Sequence, residues 1–431
     1  MNNKFIKSTL ILIGGGFITK ILGFIIRILY TREIGSDGVS LYALIIPSYS
    51  LIITIATLAL PVAISKLVAE NKYDHRKILS SAFVLIISID LILILVILSC
   101  KNLISVHLLK ESRLENLFIA IAATIPFISI ANIFKGYFLG KQNMIPNTVS
   151  NILEQLLRIA LIVLWLPYLL KKSLIWAIAG LILLSVFSES LSILVFMLFF
   201  PKKNKKILLP DLCICKSILS TAIPSVSSRF IGNIGFFFEP IILTNLLLLK
   251  GFSNNYILTE YGAYNAYAIA TLTLPAFFIG AISSALIPEI SKFYIKGKYQ
   301  VVKRRIKQAL TISFLIGSCC SIGILIFRNN ILQTLYHTSN GSEYIKILAP
   351  FFVLFYLEGP LNSALQAMNK AGCTLKISSL GVIIKLFSMS FFAILKKGVL
   401  SLVYAEIINI FFVVFLSFYT VCKTITKVGD V

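Results

Sequence analysis

Six basic residues sit inside stretches that are otherwise apolar: Lys20, Arg27, Lys135, Arg158, Arg229 and Lys385. A cation near the centre of a hydrocarbon layer costs on the order of 2.5 to 3.5 kcal/mol, so each should face a cavity or a partner charge. Lys20 and Arg27 are seven residues apart, and Gly16 and Gly23 continue the stripe, which puts two cations and two small residues on one side of a helix. Cations gathered around one cavity suit an anion such as a diphosphate, which Arg grips in two-pronged fashion and Lys as a point charge. Lys20, Arg27, Arg158, Arg229 and Lys385 are therefore the candidate substrate-binding residues. Some have plainer readings. Lys135 lies near a helix end, where it can snorkel. Arg158 has Glu154 one turn earlier, and the two can form a structural pair. Arg27 can lie near the outer end of its helix.

The acids within the same stretches are Asp90, Glu154, Glu189, Glu239, Glu289, Glu358 and Glu406. Glu239-Pro240 and Glu358-Gly359-Pro360 set carboxylates beside helix breakers, where freed backbone and an acid can take part in coupling to H+ or Na+. Glu154, Glu239 and Glu358 are accordingly the candidates for ion coupling or charge pairing. His75, His107 and His337 fall in loops, which argues against a histidine proton relay inside a membrane. No phosphate-binding Gly-x4-Gly-Lys-Ser/Thr, no Gly-x-Ser-x-Gly and no His-Glu-x-x-His occurs, and the seven cysteines form no Cys-x-x-Cys pair with metal spacing. Neither a cofactor, nor a metal centre, nor enzymatic activity is expected. Transport would draw on an ion gradient, the membrane potential or the substrate gradient.

Composition sets the surroundings of these charges. Of 431 residues, 58% are hydrophobic and 13% charged, where a soluble domain carries about 25% charged residues; mean hydropathy is +0.93. A water-soluble enzyme is excluded. The 40 Lys+Arg against 17 Asp+Glu, formally +23, suit a protein meeting anionic membrane lipid. They form no basic stripe with interleaved aromatics of the kind that binds nucleic acid.

Apolar runs of membrane-crossing length, about 20 residues, fall at 8–30, 39–62, 78–99, 116–139, 148–170, 174–200, 217–249, 262–287, 308–327, 344–367, 374–395 and 398–421. The expected fold is an all-α polytopic membrane protein of about twelve transmembrane helices, since continuous Leu/Ile runs do not read as barrel strands. Lys4 and Lys7 precede a first run that has span length and no small-residue cleavage site, and it reads as a retained span. With both termini cytoplasmic, about 23 Lys/Arg fall on the cytoplasmic side and about 11 outside. The main contributors are Lys66, Lys72, Arg76 and Lys77, then Lys202, Lys203, Lys205 and Lys206, then the segment from Lys292 to Lys307. A multi-pass protein of the cytoplasmic membrane is expected.

The chain also repeats. Ile64-Ser65-Lys66 followed by Lys72-Tyr73 returns as Ile290-Ser291-Lys292 followed by Lys298-Tyr299, and Pro126-Phe127 returns as Pro350-Phe351. The stripe Asn147, Asn151, Glu154, Arg158 falls on Thr374, Ser378, Gly381, Lys385, and Lys20-x-x-Gly23 resembles Arg229-x-x-Gly232. Ordered matches at similar offsets, with the Lys20 and Arg229 pair at a shorter one that a longer loop after the seventh span absorbs, are how duplicated transporter halves show themselves. The halves are expected to be a six-helix lobe over 1–200, a cytoplasmic linker over 201–216 rich in Pro and Lys, and a six-helix lobe over 217–431. An even number of spans per half implies a pseudo-two-fold axis along the membrane normal, with the cargo crevice between lobes.

Several ordered strings resemble a known family. They are Gly14-Gly15-Gly16, Lys20-Ile-Leu-Gly23-Phe24, Arg32-Glu-Ile-Gly35, Leu60-Pro61-x-Ala63-Ile64-Ser65-Lys66, Gly136-Tyr-Phe-Leu-Gly140-Lys141, Glu154-Gln155-Leu-Leu-Arg158, Ser228-Arg229-x-x-Gly232, Phe238-Glu239-Pro240 and Leu286-Ile-Pro288-Glu-Ile-Ser291. Together they are similar to sporulation members of the multidrug, oligosaccharidyl-lipid and polysaccharide exporter superfamily, relatives of the lipid II flippases. The resemblance implies a two-lobed bundle that moves an undecaprenyl-diphosphate-linked cell-wall precursor from the inner to the outer leaflet, here for the spore cortex. It also implies Lys20 and Arg32 as first-span cations of the site, with cell-wall synthesis proteins as possible partners. Rival readings are a polysaccharide-unit flippase, a cation-coupled drug exporter and a membrane scaffold that transports nothing. A drug exporter needs an acidic cavity for cationic drugs, yet the first span has no carboxylate before Glu33.

Overall fold

In the computed structural model the described backbone covers residues 3–201 and 209–429, with side chains described from Gly14 to Ile425 except 202–208 and Ser228. Lys202, Lys203, Lys205 and Lys206, and the side chains of Lys4 and Lys7, lie outside the described residues. Every described element is helical: α1 (Asn3–Thr57), α2 (Leu60–Glu70), α3 (His75–Asn102), α4 (Glu115–Gly140), α5 (Ile145–Lys172), α6 (Leu174–Phe199), α7 (Leu212–Leu249), α8 (Asn254–Gly262), the single turn α9 (Ala270–Leu272), α10 (Ala276–Ile295), α11 (Tyr299–Tyr336), α12 (Ser342–Ala367), α13 (Ala371–Ile394) and α14 (Leu400–Gly429).

Local signals explain most of the boundaries. Asp74 caps α3 by accepting from the Arg76 N–H. Ser173 ends α5 in an extended conformation and caps α6 by accepting from the Trp176 N–H. Lys171 and Lys172 stand in the last turn of α5, where cations complement the helix dipole. Two expected spans are joined in one run from Gly14 to Glu70, 57 residues long, which at about 1.5 Å per residue is far longer than one bilayer crossing. Gly35 bends it, with φ 65° and ψ −178°, a combination essentially confined to glycine. The expected span at 262–287 is instead a π-helical stretch, Ala263–Ile269, a break at Thr273–Pro275, and then α10. Pro240 and Pro360 do not break their helices: α7 and α12 run through both. Each proline removes only the donor to the carbonyl four residues before it, which surrounding helices make tolerable within a membrane.

Eleven described helical runs are long and apolar enough to cross a membrane. Their packing is inverted relative to a soluble protein. On α3, Val84, Ile87, Leu91, Ile92 and Leu95 are exposed, while Asp90 is buried and accepts a hydrogen bond from Ser129 Oγ at 3.1 Å. Large apolar side chains outside and a carboxyl inside make sense only when hydrocarbon is the solvent.

The chain divides into two compact units, Met1–Asn233 and Ile234–Val431. The division falls inside α7 rather than in the 201–216 segment. The reason is packing: Ile214, Ile218 and Ala222 belong to the same buried cluster as Ile64, Ile78, Ile86, Phe134 and Phe196. Further along α7, the Asn233 side chain donates to the carbonyl of Ser50 in α1. The duplication is visible in matched contacts. A Cβ on Gly140 would lie 2.7 Å from the Ser65 carbonyl, and 226 to 227 residues later the Ser291 hydroxyl donates to the Ala367 carbonyl at 3.2 Å.

Outside the spans, Glu111 is buried and holds Arg113 through both Nε and Nη2 at 2.8 Å. The Arg113 hydrogen bonds keep the Glu111 carboxyl below its usual range. A depressed carboxyl stabilises fully above its unfolded pKa and ceases to do so as pH falls through its folded value. Because Arg113 is half exposed, the contribution is under about 1 kcal/mol. The melting temperatures of wild type and Glu111→Gln in detergent are expected to differ at neutral pH and to converge as acid protonates Glu111. A difference that persists in acid would contradict this.

Candidate functional site

Unit 1 holds a charge cluster on three helices. Arg158 on α5 pairs through Nη2 with Glu154 Oε1 at 2.9 Å and donates through Nε to Ser188 Oγ at 2.9 Å. Lys135 on α4 lies 3.8 Å from Glu154 and 3.7 Å from Glu189 on α6, and Ser192 Oγ donates to Glu154 at 3.4 Å. Two cations face two carboxylates, so the cluster is neutral when all four are ionised. This corrects the snorkelling reading of Lys135, whose ammonium turns inward because Glu154 and Glu189 both face α4. The i,i+4 pairing of Arg158 with Glu154 was legible from spacing; Glu189, Ser188 and Ser192 join from α6, a neighbour that linear spacing does not reveal.

Unit 2 places Lys385, 227 residues after Arg158, in a comparable position with different partners. Its Nζ is 2.7 Å from Glu239 on α7 and 2.8 Å from Glu406 on α14, and Tyr261 donates its hydroxyl to Glu239 at 3.5 Å. Glu358 on α12 accepts from Asn362 Nδ2 at 3.3 Å and lies close enough to Glu406 to feel its charge. Here two carboxylates flank one cation and a third, Glu358, stands beside Glu406, an excess of acid that the unit 1 cluster does not have. Glu406, not among the candidates, is a direct partner of Lys385; it was visible as a membrane acid, but nothing in the linear sequence ties it to α13.

The remaining candidates are more open. Lys20 and Gly16 are exposed along α1, while Gly23 and Arg27 are half buried. Arg27 is near enough to Tyr30 and Tyr42 for its charge to act on both phenols. Arg229 is exposed on α7, within unit 1. Among the described residues neither Lys20 nor Arg229 makes an ion pair. No group of three or more His, Cys, Asp or Glu able to hold a metal occurs among the described residues.

A multi-pass helical protein that keeps matched charges in apolar surroundings and leaves further cations open on its spans is of the class that moves polar cargo through a membrane. The chain belongs to the polysaccharide biosynthesis protein family, whose model matches residues 5–294; a MatE model matches 240–390. It is similar to stage V sporulation protein B of Bacillus subtilis (strain 168), 36% identical over 88% of this chain and 76% of that protein. It is also similar to the lipid II flippase MurJ of the same organism, 25% identical over 90% of this chain and 77% of that one. An inward-facing multidrug resistance MATE family transporter of the MOP superfamily shares the fold with a TM-score of 0.78 at 16% identity, covering 96% of each chain.

Proposed function

We propose that this protein is a flippase that carries an undecaprenyl-diphosphate-linked, lipid II-like cell-wall precursor from the inner to the outer leaflet, serving the spore cortex. The observation that carries the reading is the pair of exposed span cations, Lys20 and Arg229, that have no carboxylate partner among the described residues, in a relative of a lipid II flippase and of a sporulation protein. Those two grip the diphosphate first, with Arg27 beside them. Arg158 and Lys385 share their charge between the cargo and the carboxylates that hold them. The acid excess around Lys385 supports unit 2 as the place where H+ or Na+ couples to transport, through Glu239 and Glu358 with Glu406. The prenyl tail stays in lipid, and an apolar groove of about 490 Å³ between α11, α12 and α14, lined by Phe314, Leu357 and Phe415, gives it a seam to follow.

The protein resides in the cytoplasmic membrane with both termini inside. Supporting this, the seven cations from Lys292 to Lys307 are all exposed beside α10 and α11, as cytoplasmic ends require. It catalyses no reaction. Cell-wall synthesis proteins are its expected partners. A second reading, a polysaccharide-unit flippase, is favoured by the family description and differs in the sugar alone.

The test measures outer-leaflet lipid II in cells depleted of their resident flippases. Wild type should restore it, and Lys20→Ala/Arg229→Ala should abolish restoration while still reaching the membrane. Wild-type activity of the double variant sinks the cation site. A wild type that restores nothing shifts the cargo to another lipid-linked glycan.

A further inference from the structure

Within unit 1, between α1, α5 and α6, lies a cavity of about 90 Å³. Its α1 wall straddles the bend at Gly35. Tyr30 precedes the bend and Tyr42 follows it, and the bend brings their rings edge to face at 5.1 Å. Tyr49, two turns beyond Tyr42, shares a hydrogen bond with Ser185 at 3.3 Å. Arg158 brings the guanidinium edge left over from Glu154 and Ser188, and Ile162 stands one turn from it on the apolar side.

Size and charge narrow the occupant. At about 10 to 15 Å³ per water the cavity has room for roughly six waters, or for a group of four or five heavy atoms. Arg158 is the one charged residue of its lining, and the cluster it belongs to is already balanced, Lys135 and Arg158 against Glu154 and Glu189. Arg27, whose charge reaches Tyr30 and Tyr42, stands outside the lining, so a buried anion would meet at contact only the already paired Arg158, which a low-dielectric site resists. A neutral group is favoured. The walls divide between hydrogen-bonding groups and aliphatic side chains, so the group should itself be part polar and part methyl. Among the described residues the Tyr42 hydroxyl has no hydrogen-bond partner and is available to it.

We propose that this pocket is a subsite for the acetamido group of an N-acetylated sugar on the carried substrate. The acetamido carbonyl accepts from Arg158 and the Tyr42 hydroxyl, its N–H donates to the Tyr49 or Ser185 oxygen, and its methyl lies on Ile162. The inference rests on the flippase reading for its cargo, and it gives the sugar of that cargo a binding place within unit 1.

Saturation-transfer NMR on the full-length protein in detergent tests it, with N-acetylglucosamine, glucosamine and glucose as probes. The N-acetyl methyl should receive the strongest saturation and the other two sugars little. Tyr42→Phe, which deletes one hydroxyl, should weaken binding about fivefold. Ile162→Trp, which fills the space, should remove it, and the melting temperatures of both variants confirm that they fold. Equal saturation of glucose and N-acetylglucosamine overturns the subsite. So does a methyl signal absent from wild type or unchanged in both variants, which leaves a cavity holding water. Stabilisation by inorganic phosphate that Tyr42→Phe abolishes would overturn it in favour of an anion site. Because sugar binding is read without translocation, a wild type that binds the N-acetyl sugar but restores no outer-leaflet lipid II loses the flippase reading and keeps the subsite. One that flips but does not discriminate loses the subsite alone.

Discussion

Lys385→Ala should melt far below the wild type, because the substitution leaves Glu239 and Glu406 facing an empty position that a single ammonium had filled at 2.7 and 2.8 Å. Removing one partner of a buried ion cluster costs about 3 to 5 kcal/mol, since the remaining charges stay buried without compensation. Replacing the whole set is another matter: exchange of buried ions for neutral side chains of similar volume is often close to neutral. Lys385→Met with Glu239→Gln and Glu406→Gln should therefore recover most of the lost melting temperature. It should not recover outer-leaflet lipid II if these carboxylates couple an ion to transport. Thermal unfolding in detergent together with the flipping assay separates the two roles. A single Lys385→Ala variant as stable as wild type would mean that the ion pairs contribute nothing.

Gly140→Val should be strongly damaging in unit 1, with Gly136→Val close behind. A Cβ at Gly140 meets the Ser65 carbonyl and Val68 Cβ at 2.7 Å, and one at Gly136 meets Ile64 Cβ at 2.9 Å and Pro61 Cα at 3.0 Å. Two glycines four residues apart let α4 lie directly on the backbone of α2, the close approach that small residues give to membrane helices. Carbonyl and Cα atoms cannot swing aside as a side-chain tip can, so α2 has to move. Overpacking of this kind costs about 1 to 3 kcal/mol per site, and the double variant should lose more than either single one. Gly372→Ala provides the contrast, since its Cβ meets nothing within 4 Å and Ala favours a helix. Its melting temperature should match or exceed that of wild type. If Gly140→Val also does so, the contact between α2 and α4 is looser than described.

What could be read in the sequence and what could not follow from the range of the signals. Hydropathy located the spans because a run of Leu and Ile is a local property. It did not show that α1 bends at Gly35, since a glycine in an apolar run leaves the hydropathy unchanged. Nor did it show the break before α10, although Leu274-Pro275 carried the mark of one. Arg158 with Glu154 was readable because partners one turn apart share a face. Lys135 with Glu189, and Lys385 with Glu239 and Glu406, join helices whose adjacency is decided by packing. The tyrosines beside Arg158 went unnoticed for the same reason: Tyr30 and Tyr42 are twelve residues apart, and a bend rather than a period brings them together.

The placement of Lys385 also bears on how unit 2 is made. The ribosome delivers Glu239 first, then Lys385, and then Glu406 with α14. The lysine can thus meet one acid on arrival, while its second partner waits for the next helix. Lys135 has a similar wait, since Glu154 and Glu189 follow it into the membrane. Each unit therefore spends part of its biogenesis with an unmatched charge in or near lipid, and closing the ion pairs marks the point at which the helix carrying the second acid has been accepted. In unit 1 that helix is α6 and in unit 2 it is α14.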